Sequence, residues 1–323
     1  MSHKNHNDVD YVCLTLLEKA IFRFAWDGWR GSHFLWRVNN RFKHKPQQNK
    51  RLILLPNGFV MSYEAQDWTK RTIYEGTYER ALLHFLESLQ KIELVIDVGA
   101  NIGVTLWQTL KGSSQYAKYI AFEPSEQCID DLKTLATQLK NDGEIIQAAL
   151  GEREGFKEIF GINNKSHSGL ASLVNRPALT GESRVISMYT LDSVLKSRSL
   201  IRTVSVLKID TEGYEREVLI GSSSLLDSKK VEILILEVSP NFGETSYLKN
   251  LAVQLGEEYL WFQIVEKGHY RRRAWLQEIS VDCALEVTYQ FNLVLFRRDK
   301  LYEYRKDPKA IKMHLSQNQR VFG

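Results

Sequence analysis

From residue 93 onward the chain alternates short apolar runs with longer stretches of helical spacing. The runs 93–97, 118–123, 144–150, 204–210, 231–237, 259–265 and 290–296 are rich in Val, Ile and Leu and lack a regular polar face, which predicts seven strands. Helical patterns at 103–112, 125–140, 190–197, 214–226 and 246–256 separate most of them. Strands without a polar face are buried on both sides, so the order predicts a doubly wound, Rossmann-like α/β fold with helices covering a mostly parallel sheet. Two further runs, 156–161 and 184–189, flank a Ser/Asn/Gly-rich stretch and predict a hairpin insertion. Upstream, 51–62 carries Pro-Asn-Gly between apolar runs, a hairpin signal, and 77–90 has helical spacing through Leu82, Leu83, Phe85, Leu86 and Leu89. Within residues 1–50, Leu14, Leu17, Ile21 and Phe24 lie on one helical face, followed by Trp26, Trp29 and Trp36 among Arg23, Arg30, Arg37 and Arg41. That segment reads as a helical N-terminal extension.

Composition changes the picture little. At 323 residues with 43% hydrophobic and 25% charged, long disorder, collagen-like repeats and a membrane bundle are excluded. The three cysteines, Cys13, Cys128 and Cys283, are far apart and form no C-x-x-C, which argues against a disulfide scaffold or structural zinc and for a reducing compartment. The apolar stretch 11–24 is interrupted by Glu18, Lys19 and Arg23, so no signal peptide is expected there, and no run approaches the ~20 residues of a membrane span. A cytoplasmic protein is expected. Net charge is +4, but it is unevenly spread. Residues 1–50 hold nine Lys/Arg against four Asp/Glu, and 297–323 eight against three, leaving a mildly acidic body between two basic ends. The Trp/Arg-rich first 50 residues are therefore a candidate for peripheral contact with a membrane or anionic surface.

The most informative segment is Val95-Ile96-Asp97-Val98-Gly99-Ala100-Asn101-Ile102-Gly103. An apolar strand ends at an acid, and a glycine turn then opens a helix whose N–H groups face a ligand. A dinucleotide fingerprint would need glycine at Asn101 and at Val104, so a pyrophosphate cradle is disfavoured. The D-x-G-x-N-x-G form suits the carboxylate and amine of an amino-acid-like ligand, because Asp97 can face a cation. That points to S-adenosylmethionine. The next strand ends Ala121-Phe122-Glu123-Pro124, placing Glu123 where an acid can accept hydrogen bonds from both ribose hydroxyls.

A later strand ends Leu207-Lys208-Ile209-Asp210-Thr211-Glu212-Gly213. Two carboxylates with a lysine suit orienting or deprotonating a hydroxyl, with capping of the helix near Tyr214 as their alternative role. The same pair could hold a divalent cation, but few hard ligands are evident nearby and no metal is expected. Lys208, on a buried strand, reads as a charge partner rather than a base. His167, in the polar stretch 163–168, is a further catalytic candidate in a loop facing the acceptor. His269, Tyr270 and Arg271 to Arg273 form a basic-aromatic cluster that is either solvated or in contact with an anionic acceptor.

At these residues the chain resembles the FkbM-type methyltransferases, a branch of the class I S-adenosylmethionine-dependent enzymes. The shared pattern includes Gly76-Thr77-Tyr78-Glu79, the Asp97–Gly103 motif, Ala121-Phe122-Glu123-Pro124, Ala148-Ala149-Leu150-Gly151, Ser168-Gly169-Leu170-Ala171-Ser172-Leu173, Thr190-Leu191-Asp192, Lys208 through Glu215, and the strand ending at Glu237. The resemblance implies a seven-stranded sheet with the last strand antiparallel. It implies cofactor contacts at Asp97, Gly99, Asn101, Gly103, Glu123 and Glu79, with Ala148 near adenine. It also implies methyl transfer to a hydroxyl of a sugar, as in glycans and glycolipids, or of a secondary metabolite. Asp210, Glu212 and His167 are the catalytic candidates. The expected organisation is an extension over 1–50, a methyltransferase domain over 51–297 and a basic tail over 298–323. Two rival expectations remain: an RNA ribose methyltransferase, prompted by the basic ends but disfavoured because no RNA-binding module is appended, and a catalytically silent binding module. Oligomeric state is not legible.

Overall fold

A computed structural model describes residues 51–55, 57–113, 116–164, 166–177, 179–198, 203–240, 245–267, 273–306 and 311–314. The helical extension over 1–50 and the cluster from His269 to Arg272 lie outside the described residues.

The strands are β1 (Arg51–Leu54), β2 (Val60–Tyr63), β3 (Leu94–Val98), β4 (Lys118–Phe122), β5 (Gly143–Ile146), β6 (Ala149–Leu150), β7 (Gly155–Ile162), β8 (Glu182–Tyr189), β9 (Val204–Ile209), β10 (Val231–Val238), β11 (Tyr259–Lys267), β12 (Arg273–Glu278), β13 (Phe291–Arg297) and β14 (Lys312–His314). The helices are α1 (Trp68–Tyr74), α2 (Arg80–Glu87), α3 (Val104–Lys111), α4 (Glu126–Gln138), α5 (Leu191–Ser197), α6 (Glu215–Ile220), α7 (Ser223–Asp227), α8 (Tyr247–Leu255), α9 (Val281–Glu286) and α10 (Arg298–Arg305).

The central sheet runs β14-β12-β11-β13-β10-β9-β3-β4-β5. β3, β4, β5, β9 and β10 are mutually parallel, and β13 lies antiparallel between β10 and β11. The seven strands expected from the sequence form a contiguous block from β11 to the edge strand β5, with the last one in chain order antiparallel as expected. Two more extend its edge. β12 pairs with β11, and β14, inside the segment expected as a basic tail, pairs with β12. Both are too short or too polar to announce themselves. The same segment also contributes α10, which buries Leu301 and Tyr304 and bonds the Tyr304 hydroxyl to Ser88 Oγ at 2.6 Å.

Alternate residues of each parallel strand supply opposite cores. Val95, Tyr119, Val206 and Ile235 pack on one face, and Leu94, Ile96, Val98, Leu207 and Leu236 on the other. This is why the strands read as unbroken apolar runs. The predicted hairpins form as β1–β2 and β7–β8, the latter joined by β6 in a three-stranded sheet. The run 144–150 therefore splits between two sheets. The pattern 214–226 splits into α6 and α7, because Gly221 packs so tightly on Gly151 that a Cβ there would lie 2.0 Å from its carbonyl oxygen. α2 starts later than predicted, since Glu79 takes a left-handed φ of 39°. α1 was not foreseen: its buried face carries Thr69, Lys70 and Thr72, and Lys70 is neutralised by Asp131 at 2.8 Å. Among the described residues no helix is long and apolar enough to cross a membrane.

The register of the parallel strands sets the site. Val98 pairs with Phe122 on one side and Ile209 on the other, and Leu236 pairs with Ile209. The next residues, Gly99, Glu123, Asp210 and Glu237, therefore stand level in a row at the carboxyl ends of four strands. Between β3 and β9 the chain order reverses direction across the sheet, which is where open α/β folds form their crevice.

Gly103 opens α3 at φ 87°, and a Cβ there would meet Leu135 at 2.3 Å and Leu132 at 2.7 Å. Gly103→Ala combines left-handed strain with a clash into α4, so it should cost about 2 kcal/mol in a denaturant unfolding titration.

Candidate active site

The turn after β3 is shaped by backbone constraints. Gly99 has φ 79°, and a Cβ on it would sit 1.7 Å from the Asp210 carbonyl oxygen, so only glycine lets β9 pass this close. The Gly99 and Ala100 amides both donate to the Phe122 carbonyl at 3.0 Å. Asn101 is left-handed at φ 51°, and its amide donates to Glu123 Oε2 at 2.8 Å, while Ser125 N donates to Oε1 at 2.7 Å. Glu123 thus holds the turn while lining the cleft. Burial pushes its pKa up to about 7, assisted by the charges of Asp97 and Asp210 and resisted by those two amides.

The row of strand ends borders an open cleft of about 1270 Å³ including its mouth. Gly99, Asn101, Glu123, Ala148, Glu79, Asp210, Glu212 and His167 all line it. Eight of the ten residues singled out in the sequence are therefore brought together. Asp97 and Gly103 are not among the lining residues. The Asp97 carboxylate is buried, accepting from Thr105 Oγ1 at 2.8 Å, and the cation it faces is the chain's own Lys208 at 3.7 Å. Gly103 acts through packing on α4.

On the β9–β10 side the cleft is acidic. Lys208 Nζ donates to Asp210 Oδ2 at 2.8 Å and so bridges Asp210 and Asp97; these carboxylates push its pKa up against the opposing effect of burial. Lys208 is a charge partner, as expected. Glu212 stands at φ 55°, its carbonyl accepting from Ser172 Oγ and Arg176 Nη2, each at 2.8 Å. Burial, then Asp210, raises its carboxyl pKa to about 8. Glu79, buried and also raised, accepts from Asn292 Nδ2 at 3.0 Å. His167 stacks on Trp68 with ring centroids 4.7 Å apart and places Nδ1 3.3 Å from Thr69 Oγ1; burial lowers its pKa. It lines the cleft from the loop between β7 and β8.

Sequence reasoning counted Glu237 and Glu215 in the family pattern but gave neither a role in the site. Glu237, at the end of β10, lines the cleft with Oε2 buried and unpartnered. Its signal was an acid closing an apolar strand, the same signal that identified Glu123. Glu215 Oε1 accepts from Thr211 N at 2.8 Å, Thr211 Oγ1 at 3.0 Å and Gly213 N at 3.1 Å. It organises the loop whose capping was the alternative role of Asp210 and Glu212, which frees those two carboxylates to face the cleft.

The family model described as the methyltransferase FkbM domain matches residues 97–278. The chain belongs to the FkbM methyltransferase family. It is accordingly an S-adenosylmethionine-dependent methyltransferase. No curated protein matches it. Solved structures with a similar fold include an S-adenosylmethionine-dependent methyltransferase from Agrobacterium tumefaciens at 10% identity, covering 80% of this chain and 72% of that one with a TM-score of 0.42. Others are a precorrin-6y C5,15-methyltransferase from Geobacter metallireducens (9% identity, 68% and 87% covered, TM-score 0.37) and an rRNA methylase from Streptococcus thermophilus (11%, 67% and 93%, 0.36).

The cleft fits the methyltransferase's cofactor. The glycine turn lies in the middle of the row and lines the cleft, and Ser168 Oγ, buried in the lining, has no hydrogen-bond partner among the described residues. Lys208 is 4% exposed and compensates the buried carboxylate of Asp97 and the half-buried one of Asp210. Lys208→Met leaves them unpaired and should lower unfolding free energy by about 3–5 kcal/mol. Adding Asp97→Asn should restore part of that loss, as measured by denaturant titration of both variants.

Proposed function

We propose that this FkbM methyltransferase transfers the methyl group to a hydroxyl of a neutral polyol acceptor, a sugar of a glycan or glycolipid or a secondary metabolite. The observation that carries this reading is the acidic half of the cleft, where Glu79, Asp210, Glu212 and Glu237 gather on the β9–β10 side. Such a wall accepts hydrogen bonds from hydroxyls and repels phosphates, which favours a polyol over RNA.

In this reading the sheet divides the labour. The β3–β4–β5 side holds the cofactor: the Gly99 cradle admits the amino-acid end, Glu123 accepts from the ribose hydroxyls, and Ala148 lies against the adenine. When bound, the cofactor supplies an electrophilic methyl group on a positively charged sulfur. Asp210 and Glu212 orient the acceptor hydroxyl along the line of displacement and take its proton. Most of the acceleration comes from that alignment, which converts a two-body encounter into a positioned one. Trp68 and His167 form an aromatic wall at the cleft that restricts water.

Incubated with methyl-labelled cofactor and a host extract separated into neutral glycan, lipid, small-molecule and RNA fractions, the enzyme should label hydroxyls of neutral compounds as methyl ethers. Label confined to RNA ribose would replace this reading with that one.

The role of Glu123 has a pH signature. Ribose hydroxyls donate to the ionised carboxylate, so cofactor binding favours the deprotonated form, whereas the free protein holds the proton below about 7. Affinity should be full above pH 7 and weaken as pH falls through it, by about tenfold between pH 8 and pH 6. Calorimetric dissociation constants should show this for the native chain and not for Glu123→Gln; a flat native profile would remove Glu123 from the ribose.

A further inference from the structure

We infer that Asp210, Glu212 and Glu237 form a divalent-cation site that holds the acceptor hydroxyl. The inference rests on the hydroxyl-transfer reading above and adds the means by which the acidic half grips its substrate. One carboxylate oxygen from each of the three residues lies within 4.8 Å of the other two. Oxygens on a single ion are at most two metal–oxygen bonds apart, about 4.2 Å for Mg²⁺ and about 5 Å for Ca²⁺. The present spacing admits the larger ion directly and the smaller one after a slight side-chain closure.

Geometry is joined by an unmet demand. Glu237 is 6% exposed, its Oε1 accepts from Gln290 Nε2, and its Oε2 is buried in the cleft lining without a partner. Among the described residues Glu237 makes no ion pair. Two cations already touch the other members of this group: Lys208 is shared between Asp210 and Asp97, and Arg176 Nη2, which donates to the Glu212 backbone carbonyl, lies 3.9 Å from the Glu212 carboxylate. A hard ion bound by three oxygens supplies the missing charge. It retains coordination positions for water or for acceptor oxygens, and a hydroxyl bound there is acidified and fixed beside the methyl donor. Two neighbouring hydroxyls of a sugar would fill two such positions at once.

The test uses the full chain, freed of metal by chelation and titrated with Mn²⁺ alone, the free ion being followed by its paramagnetic resonance signal. One Mn²⁺ per chain is expected, competed by Mg²⁺ or Ca²⁺. Glu237→Gln and the less buried Glu212→Gln should each weaken binding at least tenfold, with S-adenosylhomocysteine affinity changed less than threefold as the check that the cofactor half is intact. Absence of Mn²⁺ binding up to millimolar concentration, or less than tenfold weakening in both variants, overturns the site and leaves a proton-sharing carboxylate cluster. Neither result bears on the labelled-product assay, which judges the hydroxyl-transfer reading separately.

Discussion

Everything at the site depends on how closely β9 passes the turn after β3. With 1.7 Å between the Asp210 carbonyl oxygen and the position of an added Cβ, only glycine fits at residue 99. That approach puts the end of β9 against the glycine cradle and joins the two halves of the cleft. Lys208 reinforces the junction from below the strand ends, since one buried ammonium answers an acid on β3 and an acid on β9. A change at either point disturbs both sides of the cleft together.

The second layer of control is a set of carboxylates used as structural tools. Glu215 ties down the loop after Asp210, Glu123 ties down the turn after Gly99, and Asp192 accepts from Ser224 N at 2.8 Å and Leu225 N at 3.0 Å to start α7. Each replaces a backbone partner that a helix or turn end would otherwise lack. Because these acids satisfy the backbone, Asp210, Glu212 and Glu237 are left to face the cleft.

This division also explains what was legible in the sequence. The parallel strands were readable because burial on both faces leaves an unbroken apolar run, and the strand-end acids because they follow such runs. α1 was not readable, since beside Ile73 and Tyr74 its buried face carries two threonines and a salt-bridged Lys70 whose partner is 61 positions away in the chain. β12 and β14 draw their stability from the edge of a sheet already formed rather than from their own pattern. The Asp97 carboxylate was expected to meet a ligand's cation; sequence spacing could not reveal that Lys208, on the neighbouring strand, pairs with it in register.

Glu237 shows where the reading from sequence stops and the register takes over. An acid ending a central strand is ordinary, and in sequence it stands 25 residues beyond Glu212, part of the family pattern but without an evident role. Its place follows only from two ladder pairings, Leu236 with Ile209 and Ile209 with Val98, which bring it level with Asp210 and the glycine turn. A buried carboxylate oxygen without a partner is costly to keep. Here that cost is incurred beside two other carboxylates lining an open cleft, and the proposed cation would offset it. In the proposed division of the cleft Glu123 serves the cofactor, which leaves the acceptor side as the place where that cation would act.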